Sequence, residues 1–354
     1  MSNKNLFDVR IGKVRCSGPV FLAPMEAVNC TAFRLMCKRY GAGLVYTPMI
    51  DVELFMKEIE EKGNIANSRF VDFVEEERPL AIQLGGAKPE NFKSSAEILQ
   101  DEADILDINF GCPLPYMLGK KGGAWLTKHP NMMEKVVNAV LQSTNKPVTA
   151  KIRIGWDDSS INALEVAKML EDMGVSAVAV HGRTCKQKYT NKANWAVIKQ
   201  VHEKLSIPVI GNGDIFLPGH VKFHLERDHC GAVMVGRAAK GNAYFFKRAN
   251  ELLRTGKNIT YPSMPKQMDL IFEFMRIYEE NQQRQKFTEV RDHVMWMCAG
   301  TPFARNIRSK LLKTEDLNGI ARIVKSYYTR TKYIKEEDER ALYQRFSQDV
   351  TANG

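Results

Sequence analysis

Short apolar runs alternate with amphipathic stretches from about Val20 to Arg237: "VFLAP", "GLVYTP", "PLAIQLGG", "ADILDINFG", "PVTAKIRIG", "AVAVHGRT", "IPVIGNGD" and "AVMVGRA". Each run is strand-sized. The stretches between them, such as "SINALEVAKMLEDMG" and "NWAVIKQVHEKLS", repeat apolar residues at three- and four-residue spacing, as a helix with one buried face does. Strands separated by helices pair in parallel, because a parallel neighbour requires a crossover. Eight such runs predict a (β/α)8 TIM barrel of the α/β class. A doubly wound sheet would need a glycine-rich phosphate fingerprint. "GNGDIF" supplies Gly211 and Gly213, but Phe216 stands where the third glycine belongs.

The pattern changes after "GRAAKGNAYFFKRANELLRTG". "KNITYPSMP", with Pro262 and Pro265, reads as a linker, and the remainder has helical spacing through "KQMDLIFEFMRIYEENQQRQ", "RDHVMWMCAG", "FARNIRSKLLK" and "NGIARIVKSYYTR". The predicted organisation is a barrel domain over 1–258 and a small C-terminal all-helical domain over 259–354.

A length of 354 residues with 44% hydrophobic content can fill a core of that size. No run approaches the roughly 18 to 20 apolar residues of a membrane helix, and "MSNKNLFDVR" lacks the apolar stretch of a secretory signal. A soluble, cytoplasmic protein without a membrane partner is expected, as a monomer. The seven cysteines are scattered, without CxxC pairs, and suit reduced thiols.

Charge narrows the partner. A formal net charge of +10 and a pI near 9.1 favour a polyanion. Cations crowd the last helices: Arg305, Arg308, Lys310, Lys313, Arg322, Lys325, Arg330, Lys332 and Lys335 outweigh the acids among them. They form either a nucleic-acid surface or a solvated face.

In a parallel barrel the chemistry lies at the carboxyl ends of the strands. Those ends carry, in order, Pro24 and Met25; Gln83; Asn109 and Cys112; Lys151 and Arg153; His181 and Arg183; Asn212 and Asp214; Gly236 and Arg237. Residues two apart share a strand face, so Lys151 and Arg153 point together into the barrel mouth. They call for an anionic ligand, or for an internal salt bridge to Asp107 or Asp214. "IPVIGNGDI" and "VMVGRAA" place glycines where barrels commonly hold phosphate, although glycines there also simply make turns. A phosphate at those loops and a cation at mid-barrel suit a flavin mononucleotide, whose reduced ring carries negative charge that Lys151 would stabilise.

Cys112, between Gly111 and Pro113, has the profile of an acid. A free thiol ionises near pH 8.5, so it is mostly protonated at neutral pH and able to protonate a carbanion or enolate. With His181 as base it would be a nucleophile, and buried in apolar surroundings a packing residue.

Taken together, "APMEAVNCTAFR", Gln83 in "AIQLGG", "DINFGCP" with downstream "KKGGAWL", "KIRIGW", "VHGRTCKQKY…ANW", "GNGDI" and "VGRAA" resemble the tRNA-dihydrouridine synthase family. The resemblance spans nearly the whole barrel. It implies an FMN-dependent enzyme, fed by NADPH or NADH, that reduces the C5=C6 bond of specific uridines in tRNA. Hydride would pass from FMN N5 to C6 and a proton from Cys112 to C5. Pro24, Met25, Gln83, Lys151, His181, Asn212, Gly213, Asp214, Gly236 and Arg237 would line the flavin, and Asn109 and Arg183 would contact the uracil. The helical domain, with Lys120 and Lys121, would grip the tRNA. Asn191 replaces the family's common glycine, and asparagine tolerates a left-handed backbone.

Two rivals fit parts of the pattern. A flavin barrel acting on a free pyrimidine, similar to dihydroorotate dehydrogenases, has no use for the basic tail. A non-catalytic RNA-binding module would take up no flavin. No metal is expected: His220, His224, His229 and Cys230 have helix-like spacing but read as surface groups. Met25 and Met49 read equally as packing, and Tyr189 and Trp195 as stacking or loop-packing residues.

Overall fold

The protein is described from a computed structural model covering residues 6–227, 229–281, 286–301 and 304–331. Its strands are β1 (Arg10–Ile11), β2 (Val14–Arg15), β3 (Val20–Leu22), β4 (Val45–Tyr46), β5 (Ile50–Asp51), β6 (Leu80–Gly85), β7 (Ile105–Phe110), β8 (Val148–Arg153), β9 (Ala177–His181), β10 (Val209–Asn212) and β11 (Ala232–Val235). Strands β3 to β11 form a parallel sheet in the order β3-β11-β10-β9-β8-β7-β6-β4, with β5 also paired to β6. Backbone hydrogen bonds from Leu22 to Leu44 (2.9 Å) and from Gly43 to Val20 (2.8 Å) join the two ends. The result is the TIM barrel that the apolar runs predict, every run contributing a strand.

The second barrel strand is split. Pro48 has no N–H for the ladder, so pairing stops after Tyr46 and resumes at Ile50. Thr47 bridges the gap: its N–H donates to Ala81, and its hydroxyl oxygen accepts from Gln83 N at 3.1 Å.

Side-chain alternation divides each strand between two cores. Phe21, Leu44, Tyr46, Ala81, Ile105, Ala179, Ile210 and Met234 face inward, while Leu22, Ile82, Leu106, Ile152 and Val180 face the helices. The inner cluster also takes in Val9, Ile11 and Cys16, so the β1–β2 hairpin plugs the amino end of the barrel. Sequence periodicity did not predict this hairpin, whose two-residue strands are too short to show a period.

Among the described residues four C-terminal helices follow: Met264–Asn281, Phe287–Met297, Ala304–Leu311 and Leu317–Thr331. Pro265 sits in the first turn of the first of these, where a missing N–H costs nothing, and so lies beyond the linker expected around it. The apolar core runs from the barrel's outer shell into these helices without a break. Polar contacts also cross: Tyr40 donates to Glu273 at 2.8 Å, and His293 Nε2 meets the Val28 carbonyl at 2.9 Å. Arg305, Arg308, Lys310, Lys313, Arg322 and Lys325 are exposed. The Arg330 side chain, Lys332 and Lys335 lie outside the described residues, as does chain 332–354. No described helix is long and apolar enough to cross a membrane. All seven cysteines are free thiols.

Candidate active site

At the carboxyl end of the barrel a cavity of about 420 Å³ opens. Its lining includes Pro24, Met25, Gln83, Asn109, Cys112, Lys151, His181, Asn212, Gly213, Asp214, Gly236 and Arg237. Residues far apart in the chain meet there because parallel strands put their carboxyl ends at one rim. Asn109 pairs in register with Lys151, Arg153 with His181, and His181 with Asn212.

A chain of hydrogen bonds climbs from the barrel interior to the thiol. Asp107 accepts from Thr149 Oγ1 at 2.5 Å and from Gln83 Nε2 at 2.7 Å. Gln83 Oε1 accepts from Asn109 Nδ2 at 2.7 Å, and Asn109 Oδ1 accepts from the backbone N–H groups of Gly111 (3.0 Å) and Cys112 (2.8 Å). Asn109 therefore builds the turn that presents Cys112 and keeps one amide hydrogen for a ligand. Burial pushes Asp107 up to about 6, against the hydrogen bonds from Gln83 and Thr149 and the Lys151 charge.

Arg153 completes the turn. It is almost wholly buried and donates to the carbonyls of Gly111 (2.7 Å), Thr184 (2.9 Å) and Lys188 (2.8 Å). Burial raises the Cys112 thiol above its ordinary value, which outweighs the pull of Arg153 and Lys151, so it stays protonated at neutral pH. The same burial, reinforced by Lys151 and Arg153, holds His181 well below its ordinary value and keeps it neutral.

Lys151 makes no ion pair or hydrogen bond among the described residues, and burial together with Arg153 lowers it to about 8. The internal salt bridge is not formed. Asp107 is occupied as above, and Asp214 is held by Arg183 (2.7 Å) and Arg237 (3.0 Å). On the cavity wall Lys151, Arg153, Arg237 and Lys240 outnumber the carboxylates Glu26 and Asp214. An anion would neutralise this excess.

The two glycine loops differ. Gly213 has φ +126°, and a Cβ there would sit 2.7 Å from the Ala193 Cβ, so the protein's own packing demands glycine. At Gly236 a Cβ would meet Ala23 and Met25 only at 3.7 and 3.8 Å, ordinary contact distances. Its bare backbone instead faces the cavity. An unpaired ammonium, a positive wall and that backbone fit a phosphorylated flavin.

Arg183 lies apart from the cavity that the other predicted site residues line. Expected at the uracil, it is 1% exposed and does not line the cavity. It binds Asp214 Oδ1 (2.7 Å), Thr190 O (3.0 Å) and Asn191 O, because a fully buried guanidinium needs acceptors on every side. Asn191 has φ +60°, the left-handed backbone expected of the residue in the glycine position. Lys120 is also committed internally, to Asp51 (2.6 Å) and Glu53 (3.1 Å), whereas Lys121 is exposed. Sequence reasoning missed Glu26, Tyr116, Phe216 and Lys240 on the cavity wall and took Met49 for possible packing. Glu26 had a signal, since it directly follows Met25 at a strand's carboxyl end. Trp195 stacks on His224 at 3.4 Å and donates to Gly213 O at 3.0 Å, behind the cavity. His224 in turn meets His229 at 3.0 Å, and no metal-holding group of His, Cys, Asp or Glu occurs among the described residues.

The family model for dihydrouridine synthase matches residues 21–331. This chain belongs to that family. Among curated dihydrouridine synthases, it is 31% identical over 323 residues to a probable tRNA-dihydrouridine synthase of Rickettsia conorii, covering 91% of this chain and 96% of the relative. It is 32% identical over 324 residues to tRNA-dihydrouridine synthase B of Pseudomonas aeruginosa, covering 90% and 96%. Solved structures share the fold at much lower identity. A 6-hydroxypseudooxynicotine amine oxidase from Pseudomonas geniculata aligns with TM-score 0.55 at 13% identity, over 76% of this chain and 52% of its own. A 2-naphthoyl-CoA reductase aligns with TM-score 0.56 at 9% identity, over 70% and 52%. The chain thus spans about half the length of these two structures, and the likeness is one of fold alone.

Proposed function

We propose that this protein is a tRNA-dihydrouridine synthase that holds FMN in the barrel cavity and draws on NADPH or NADH. One observation carries the reading: a protonated thiol, Cys112, shares a cavity with Lys151, a cation that has no partner of its own among the described residues. The family membership and the names of the curated relatives support it.

When bound and reduced, the flavin supplies a hydride to C6 of uracil, whose C5=C6 bond is conjugated with C4=O. This chain's residues do the rest. Lys151, with Gln83, Asn212 and the Gly236 backbone, binds the anionic cofactor, and its ammonium favours negative charge on the ring. Cys112 Sγ–H gives its proton to C5, which becomes basic as C6 gains hydride. Asn109 and Arg153 fix the turn that aims the thiol, and the free amide hydrogen of Asn109 meets the uracil. Arg183 acts one step back, holding Asp214 and the Thr190–Asn191 backbone in place.

No group at the base of this cavity reaches a uracil stacked in RNA, so the nucleotide must be turned out at a cost of roughly a few kcal/mol. The exposed cations of the C-terminal helices bind phosphates and offset that cost. The same reading puts the enzyme in the cytoplasm.

The test is direct. Purified protein should be yellow and release FMN, and tRNA from cells lacking the protein should lose dihydrouridine at defined positions. A colourless protein that takes up no added FMN, or an unchanged dihydrouridine map, overturns the proposal.

A further inference from the structure

A second cavity of about 510 Å³ adjoins the first, and Glu26, Val28, Met49 and Tyr116 line both. Its far wall combines the start of the helix Val52–Lys62, the segment 68–73, and Lys286 and Glu289 at the start of the helix Phe287–Met297. We propose that this cavity receives the nucleotide next to the target uridine in the RNA chain and reads its base. The inference rests on the function proposed above.

Three observations carry it. The first is continuity: a uridine held at Cys112 is joined by one phosphodiester to each neighbour, and the space sharing that rim is this cavity. The second is the wall chemistry. Leu54, Phe70, Val71 and Phe73 give it apolar and aromatic surface, and the Arg69 guanidinium lies over the Phe70 ring at 4.8 Å, exposed on its outer side. Such a layered platform suits the face of a base.

The third is charge. Arg69 pairs with Glu58 at 3.2 Å, Lys286 with Glu289 at 3.5 Å, Arg34 with Glu77, and Asp51 with Lys120. A cavity whose cations are already paired, and whose wall also carries the carboxylate Glu26, offers little to a phosphate. It offers stacking surface and fixed acceptors to a neutral base, as direct readout requires. Because Lys286 and Glu289 belong to the helical region that carries the exposed cations, RNA is the occupant favoured over the nicotinamide coenzyme.

Leu54 is the place to test this. It is 45% exposed and lines the second cavity but not the first. Leu54→Trp fills the cavity, and Phe70→Ala removes a layer of the platform. Each variant would be assayed with unmodified tRNA transcript, and with transcripts carrying a single abasic site on the 5′ or the 3′ side of the mapped target uridine.

For wild-type enzyme, an abasic site on one of the two sides should raise the KM for tRNA roughly tenfold, the scale of one lost base stack. Leu54→Trp should raise it by a similar factor with the intact transcript, and the abasic site should then add nothing further. The KM for NADPH and the rate of flavin reduction should not move. Unchanged tRNA KM in both variants, independent additive effects, or a rise confined to the KM for NADPH would each overturn the inference while leaving the parent function standing. Wild-type enzyme that forms no dihydrouridine would overturn both.

Discussion

Arg153 donates its Nε–H to the carbonyl oxygen of Gly111 at 2.7 Å, one residue before Cys112. The cation that alternation places in the barrel mouth is therefore not a free charge awaiting a ligand. It clamps the thiol turn to the loop after β9 through Thr184 and Lys188. Arg153→Ala leaves the carbonyls of Gly111, Thr184 and Lys188 without this donor, the first two of them buried. It should lower dihydrouridine formation about 100-fold through misplacement of the thiol, and lower the Tm as well. Arg153→Lys should not restore the rate, since an ammonium lacks the planar fork. Steady-state rates and thermal melts check both.

Cys112→Ala removes the proposed acid and little else. FMN binding and reduction by NADPH should be retained while dihydrouridine formation falls by roughly 10²- to 10⁴-fold. Stopped-flow flavin reduction, run beside product quantification, separates the two half-reactions. An Ala variant with undiminished product formation would assign the proton to another group.

Lys151 should make cofactor affinity pH-dependent. Its folded-state pKa lies below the ordinary lysine value, at about 8, because burial and Arg153 disfavour the ammonium. The charged form thus destabilises the empty fold below about pH 8, and that penalty fades as pH rises through 8 towards the ordinary value. An anionic ligand reverses the preference. FMN should bind more weakly as pH rises through about 8, and should raise the Tm more at pH 7 than at pH 9. In Lys151→Met the binding should be weaker and flat across that window, as titration of flavin fluorescence would show.

Arg305 and Arg308 are exposed on the helix Ala304–Leu311. Reversing both to Glu should weaken tRNA binding and flatten its dependence on salt by about one unit of slope per lost phosphate contact. FMN content should stay the same. Equal affinity for wild type and variant across several ionic strengths would move the RNA surface elsewhere.

Much of the site was legible because strand alternation is local. Lys151 and Arg153, or Asp107 and Asn109, share a face whatever the rest of the chain does, and every barrel strand announced itself as an apolar run. Asn191 was readable for a similar reason: a left-handed position has few acceptable side chains. Partnerships were not legible. Nothing in "HGRT" says that Arg183 turns to Asp214, because that depends on a carboxylate 31 residues along the chain. Lys120 and Lys121 are neighbours of identical chemistry, yet only the first reaches Asp51 and Glu53.

The order of apolar and amphipathic segments by itself determined a parallel barrel, and the residues at the strand ends determined which rim carries the chemistry, since both follow from backbone periodicity. Which cations are neutralised and which is left waiting was decided only when the strands closed. So was the second cavity, whose far wall takes Lys286 and Glu289 from the C-terminal helices. Both depend on ångström-scale distances between groups remote in the chain, over which Coulomb and hydrogen-bond energies change steeply.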